Sequence, residues 1–415
     1  MIKTLAAALL AGLCLAGAAT AQRIDPADLL RRHAEAGTLA AGEAALAALP
    51  QDRQAIAALG MIKFARAVET LAQGLHRHGL RSPRHDNIPL LRLPVPENPQ
   101  PAPLTYDALR AIYARFLADL TAAEAVLARL PEGSVRLPLD LNAVRLDLDG
   151  DGQASSAEAL GRIIARAGLG GPRLPEPAAD TPVEPWEVGF DRADTTWLRG
   201  YCHLLSAVLE FVLAHDWRET YAGAAHLFFA GASDPSEARA APERPRDPIL
   251  GGDGGQFADL VALVHLVRWP LAEPERLPRA REHLKSMIAL SRQTWTEIQA
   301  ETDDDHEWLP GPNQRNTAFP GLAVTAERLD AWKAALAEFD AALDGTLLIP
   351  HWRYRQGFDL KAVFTEPRPF DLVMWGTGHA ALPYLKDGPQ MSRASWNQWQ
   401  RIFAGQFLTY ALWFN

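Results

Sequence analysis

Apolar positions along this chain fall mostly three and four residues apart, the spacing that lines one face of an α-helix. Between Asp52 and Gly79 they are Ile56, Leu59, Met61, Phe64, Val68, Leu71 and Leu75, which predicts one long amphipathic helix. Leu109, Ile112, Phe116, Leu120 and Leu127 predict a second over 105–130. Upstream, Asp25-Pro26 joins a capping residue to a first-turn proline and opens a helix through ADLLRRHAEAG. Residues 194–216 form a more apolar helix, with Trp197, Tyr201, Leu204, Leu205, Val208, Phe211, Val212 and His215 on one side. Arg199, His203, Ser206 and Glu210 share its other side. A further helix is expected over 218–230. The stretch QFADLVALVHLVRW, 256–269, is apolar nearly all round and is expected to lie centrally. Leu277, Ala280, Leu284, Met287, Trp295 and Ile298 mark a helix over 277–300, and two more are expected over 325–343 and 394–413. TLLIPHWRY and FDLVMW are short, branched and aromatic, and read as strands. No repeat of 20–50 residues is present. The fold class is therefore mainly α, a multi-helix bundle with a minor β element near the C-terminus.

Composition divides this pattern. The stretch 171–186, GPRLPEPAADTPVEPW, is too rich in proline to remain helical, and all twelve tryptophans lie at or beyond Trp186. The expected organisation is an N-terminal helical region over 22–170 and a Trp-containing, mainly helical domain over 187–415. A proline-rich crossover inside one domain is the alternative. Ahead of both, Lys3, the apolar run from Leu5 to Gly17 and Ala19-Thr20-Ala21 read as a signal peptide, residues 1–21, cut after Ala21. Its apolar run is shorter than the ~20 residues that a membrane span needs. No other apolar stretch reaches that length, so the mature chain is expected to carry no transmembrane span and to be periplasmic or secreted. Cys14 would leave with the signal and Cys202 would remain alone, a buried apolar residue rather than a nucleophile. A net charge of −9 argues against nucleic acid as a partner.

One stretch names its own chemistry. DLDGDGQASSAE, 147–158, places Asp147, Asp149 and Asp151 at alternate positions, a turn-forming Gly152 and a distal Glu158. Three alternating carboxylates around a glycine turn, with a fourth returning from the far end, supply the hard oxygens that Ca2+ takes in numbers of six to eight. Without a cation these carboxylates repel one another. A structural reading stands beside this one: Ser155-x-x-Glu158 is also a capping box, in which Glu158 would satisfy backbone donors at a helix start. The stretch and the ALGRIIARAG that follows it resemble an EF-hand calcium-binding loop with its exiting helix. That resemblance implies Ca2+ as cofactor, with Asp147, Asp149, Asp151, Gln153 (through its backbone carbonyl), Ser155 and Glu158 as ligands. It also implies Leu160, Ile163 and Ile164 on one apolar helix face. Two departures limit it. Pro138 leaves room only for a short entering helix, about Asp140 to Leu146. Ala154 stands where an EF-hand carries the large aliphatic that reaches a second hand, and no second such loop occurs. A lone hand points to a structural ion rather than a calmodulin-type switch.

Other residues leave the question of an enzyme open. His265 and Arg268 lie one turn apart on the helix expected at the centre, where burial would allow them to hold an anion or simply to pack. His203, His215 and His226 are spaced too widely for a helical zinc site. The run Glu301-Thr302-Asp303-Asp304-Asp305-His306-Glu307 is expected to be a solvated helix end. Gly376-Thr377-Gly378-His379 turns into a helix where His351 and Asp371 would join His379, without the serine of a nucleophile elbow. Gly251-Gly252-Asp253-Gly254-Gly255 meets neither phosphate-binding pattern. The leading expectation is an exported calcium-binding protein with one structural EF-hand. The alternatives are a periplasmic hydrolase or lyase stabilised by calcium, and a helical scaffold for a partner.

Overall fold

Asp25, Asp52 and Thr105 each lie in extended backbone and accept a main-chain N–H, from Ala27, Ala55 and Ala108, so each caps a helix, at Asp25 as the sequence predicts. The computed structural model describes residues 24–81, 95–167, 184–233, 261–319, 324–405 and 407–415. The expected signal segment 1–21, Gly168, most of the proline-rich stretch and the Gly251–Gly255 loop lie outside the described residues.

The caps open α1 (Pro26–Glu35), α3 (Arg53–Arg77) and α4 (Tyr106–Leu127). Between the first two lies α2 (Leu39–Ala47), whose apolar residues are not confined to one face and whose cap makes no side-chain bond. The helix lacks the signals that mark helices in a sequence. Downstream run α5 (Leu160–Ala167), α6 (Arg192–Leu213), α7 (Arg218–Phe228), α8 (Arg276–Ala300) and α9 (Ala326–Leu343). Four shorter helices follow: α10 (Leu360–Thr365), α11 (Leu372–Gly376), α12 (Arg393–Ile402) and α13 (Phe407–Phe414). The strands are two to four residues long. β1 (Leu137–Asp140) pairs antiparallel with β2 (Glu187–Phe190), setting Leu137 opposite Phe190. β3 (Arg268–Trp269) pairs with β6 (Phe370–Asp371), and β4 (Ile349–Pro350), β5 (Gly357–Phe358) and β7 (Leu385–Lys386) make a three-stranded sheet. The protein is mainly α with small antiparallel sheets, as the periodicity predicts. No described helix is long and apolar enough to cross a membrane.

Two apolar clusters form the core. One gathers α1–α4 and β1 around Leu30, Leu46, Ile62 and Leu137, and takes in Trp217 and Phe229 from beyond the proline-rich stretch. The other gathers α6, α8, α9 and the C-terminal helices around Trp295, Trp332, Trp399, Phe403, Phe407 and Phe414. A third, small cluster joins them through α6, where the buried Cys202 and Leu209 meet Ala67, Phe116 and Leu120. Burial pushes the Cys202 thiol far up, in keeping with a packing role. Tryptophans at helix-face spacing are core residues at Trp197, Trp295 and Trp332, whereas Trp269 is half-buried.

Three expectations need correction. The aromatic helix expected over 394–413 is two helices, because Ala404 and Gly405 adopt positive φ (50° and 77°) and reverse the chain between them. FDLVMW is a strand only at Phe370–Asp371: Asp371 accepts from the Met374 N–H and starts α11. Residues 261–266 are helical but not central, with Val261 and Val264 exposed. His265 and Arg268 are exposed too, so they form no buried anion site. The helix ends early because Arg268–Trp269 leave it to pair with Phe370–Asp371.

Candidate metal centre

The loop 147–158 begins from a strand and a turn, not from a helix. β1 ends at Asp140, whose Oδ1 accepts from the Asn142 and Trp186 amides (both 2.9 Å) and turns the chain. The expected entering helix over 140–146 is therefore absent, since the N–H groups there go to that turn, to Trp186 O, to Ala34 O of α1 and to the far side of the loop. Leu146 N donates to Glu158 O (3.2 Å), and Leu160 N to Val144 O (2.8 Å), while Arg145 and Ala159 form an antiparallel bridge. The loop is thus closed at its neck by backbone pairing. The exiting side is a single 3-10 turn, Ser156–Glu158, followed by α5, which buries Ile163 and Ile164 as the resemblance implies.

Within the loop the three aspartates converge: one carboxylate oxygen from each of Asp147, Asp149 and Asp151 lies within 4.8 Å of the others. The backbone holds them there. Asp147 Oδ1 and Oδ2 accept from Gly150 N (2.7 Å) and Gly152 N (3.1 Å). Asp149 Oδ1 accepts from Asp151 N (3.1 Å), and Asp151 Oδ1 from Gln153 N (2.6 Å). These local turns need left-handed backbone at the intervening glycines, and Gly150 and Gly152 have φ of 77° and 83°.

Glu158 sits apart from that convergence. It is buried, its Oε1 accepts from Leu148 N (2.8 Å) and its Oε2 from Ser155 N (2.8 Å). The amide-satisfying role seen in the sequence is the one its carboxylate plays. That role leaves lone pairs open, because each carboxylate oxygen has about two acceptor sites. Gln153 and Ser155 occupy exposed loop positions.

Two residues that the loop motif does not include complete the setting. Glu69 Oε1 accepts from Asp147 N (2.9 Å), and Gln73 Nε2 donates to Asp147 O (2.8 Å). They stand four residues apart on α3, so one helix face grips the first aspartate of the loop. The sole sequence signal is that polar i,i+4 pair, which an exposed helix face would also show. Burial, with Asp147 and Glu158 adding repulsion, raises the Glu69 pKa against the bond from Asp147 N. Burial likewise raises Asp149, aided by repulsion from Glu158 and Asp151. Opposite α3, Gly37 at the α1–α2 turn packs against Ala154: a Cβ added there would lie 2.3 Å from the Ala154 Cβ. The position that would reach a second hand is occupied by this chain's own turn.

The other candidates fall in separate places. His203 meets His283 of α8, Nδ1 to Nδ1, at 2.8 Å. The buried His215 Nδ1 lies 2.7 Å from Phe211 O. His351 accepts from its neighbour Arg353 N (3.0 Å), and Arg353 also reaches His379 (3.4 Å), while Asp371 is spent on capping α11. These contacts bring His351 near His379 but gather no serine or carboxylate with them. The run 301–307 is not simply a solvated end. Glu307 is buried and pushed up to about 7, burial being the main cause, and Glu301 is pushed up to about 9 by burial and by Asp191 beside it.

No family model matches the chain, and no curated protein or solved structure matches it.

Proposed function

We propose that this is an exported calcium-binding protein in which the loop 147–158 holds one ion for a structural purpose. The observation that carries the reading is the convergence of the Asp147, Asp149 and Asp151 oxygens within 4.8 Å on a turn whose Gly150 and Gly152 have positive φ. Hard oxygen donors on a flexible turn suit Ca2+ better than a transition metal, which favours imidazole or thiolate. Acidic groups whose pKa is raised by burial and mutual repulsion are stabilised when a cation joins them. Ligands beyond the three aspartates would come from Glu158, which has lone pairs free, the Gln153 carbonyl, Ser155 and water. A structural purpose is supported by the neck, closed through backbone pairing, and by Ala154 packing on Gly37. In a switching hand, that position would instead join a second loop. Bound calcium would tie β1, α3 and α5 together.

Isothermal titration calorimetry tests the assignment on the purified chain after chelation. One calcium heat is expected, lost in Asp147→Asn and in Asp149→Asn. An extracellular-type affinity of ~10⁻⁴ M implies a stabilisation of about 2.7 kcal/mol at a hundredfold excess over Kd. No heat, or a heat unaffected by both substitutions, would overturn the reading.

A further inference from the structure

The helix pair α6–α8, the most extensive helix contact in the protein, carries two histidines face to face across it. His203 and His283 are part-buried, their Nδ1 atoms are 2.8 Å apart and their ring centroids 5.1 Å apart. Two nitrogens at that separation hold one hydrogen between them, donated by one ring and accepted by the other. A second hydrogen would put two N–H groups head to head. A shared metal fits the gap poorly, because bonds of about 2.0–2.1 Å from each nitrogen would close the N–metal–N angle to about 86°, well below tetrahedral.

We propose that His203 and His283 form a one-hydrogen clasp between α6 and α8, and that acid opens it by protonating the second ring. The surrounding charges set which ring gains charge first. On α4, Glu124 Oε1 lies 3.7 Å from His203 Nε2 and also binds Arg199 of α6, so an imidazolium at His203 has a counter-ion. Contact with His203, and then with Arg199, holds Glu124 below the usual carboxylate range. His283 has a poorer setting. Glu210 of α6, which attracts a proton to it, is already engaged by Arg276 and Arg279 of α8. Burial, then repulsion from His203, lowers the pKa of His283, with Arg279 adding to the repulsion. A first added proton leaves the clasp in place as an imidazolium–imidazole bond, and the next breaks it.

The sign follows from linkage. The unfolded chain protonates both imidazoles near the ordinary imidazole value of about 6.5, whereas the folded pair resists the second proton. Stability from the clasp is thus present above that value and lost as pH falls through the lower folded value of His283. Each unit between the two values corresponds to about a tenfold change in the folding constant.

The test follows both rings by long-range proton–nitrogen NMR from pH 8 to 4.5. Alongside, urea unfolding is run with chelator on the full chain and on His283→Gln, His203→Gln and the double variant. Expected are one ring titrating below the other, and a wild-type folding constant that falls about tenfold more than those of the variants between pH 7 and 5. Each single variant should remove the extra pH dependence as completely as the double variant. Independent titration of both rings near 6.5, or parallel pH profiles in wild type and variants, would overturn the clasp. So would zinc- or copper-dependent stabilisation that needs both histidines, which would make the pair a metal site. NMR reads the wild type alone, so a variant that fails to fold does not shelter the proposal.

Discussion

Replacing Glu158 with alanine separates the two roles open to this residue, ion ligand and clamp on the loop. In the folded chain its carboxylate receives the buried Leu148 N–H and the half-buried Ser155 N–H, each at 2.8 Å. Hydrogen bonds to a charged acceptor contribute about 1.5–3 kcal/mol, and a buried donor left without an acceptor costs about 1–3 kcal/mol. Ser155 N–H has access to water once its acceptor is gone, so most of the loss falls on Leu148. Glu158→Ala is therefore expected to cost about 2–4 kcal/mol even when a chelator removes every divalent ion. With a urea m-value of about 1–3 kcal/mol per molar, the unfolding midpoint should drop by roughly 0.7–4 M. Asp151→Ala is the control: Asp151 is exposed and its carboxylate receives only the exposed Gln153 N–H, so its ion-free cost should stay near 0.5 kcal/mol or below. In saturating calcium both variants should lose the ion's contribution. If Glu158→Ala and the wild type unfold within about 0.5 kcal/mol of each other in chelator, Glu158 is no clamp and the reasoning about the closed neck fails.

Gly37→Ala and Gly152→Ala both place a side chain on left-handed backbone, but only the first meets a neighbour, Ala154 at 2.3 Å. Gly152→Ala should cost about 1 kcal/mol and Gly37→Ala clearly more, with weaker calcium binding because Ala154 must shift; equal costs in thermal unfolding would contradict this packing. Burial and the neighbouring Asp191 push Glu301 up to about 9 in the folded chain from its ordinary 4.5, so its contribution is present in full below 4.5 and is lost as pH rises towards 9. Glu301→Gln removes that loss, so the variant should gain on the wild type steadily from pH 5 to pH 9 in urea unfolding, and a flat difference would show that Glu301 is solvated. Trp295→Ala, at a fully buried position where the indole N–H donates to Phe414 O (3.2 Å), should cost about 3–5 kcal/mol and free the C-terminal helix α13 to exchange its amide hydrogens.

What the sequence states well, it states locally. Caps at Asp25, Asp52 and Thr105 and the three- and four-residue spacing of α3, α4, α6 and α8 mark helices because each signal acts within a turn or two of the chain. The aspartate loop is legible for the same reason, its turns being built from bonds spanning two to five residues. Long-range partners leave no such mark. Residues 140–146 look able to enter a helix, yet Asp140 is drawn into a sheet by a strand that begins 47 residues later, and Leu146 by the far end of the loop. The segment 256–269 is apolar enough for a core, but Arg268–Trp269 pair with a strand a hundred residues on, leaving Val261 and Val264 at the surface. The candidate site follows the same rule. Its ligand set can be written from twelve consecutive residues, while the groups that orient it, Glu69, Gln73 and Gly37, come from helices whose own pattern gives no reason to single them out. A transplanted loop peptide would therefore keep the aspartates and lose their alignment. The affinity of the intact protein should exceed that of the isolated 147–158 peptide by whatever α3 and the α1–α2 turn contribute in holding the loop ready.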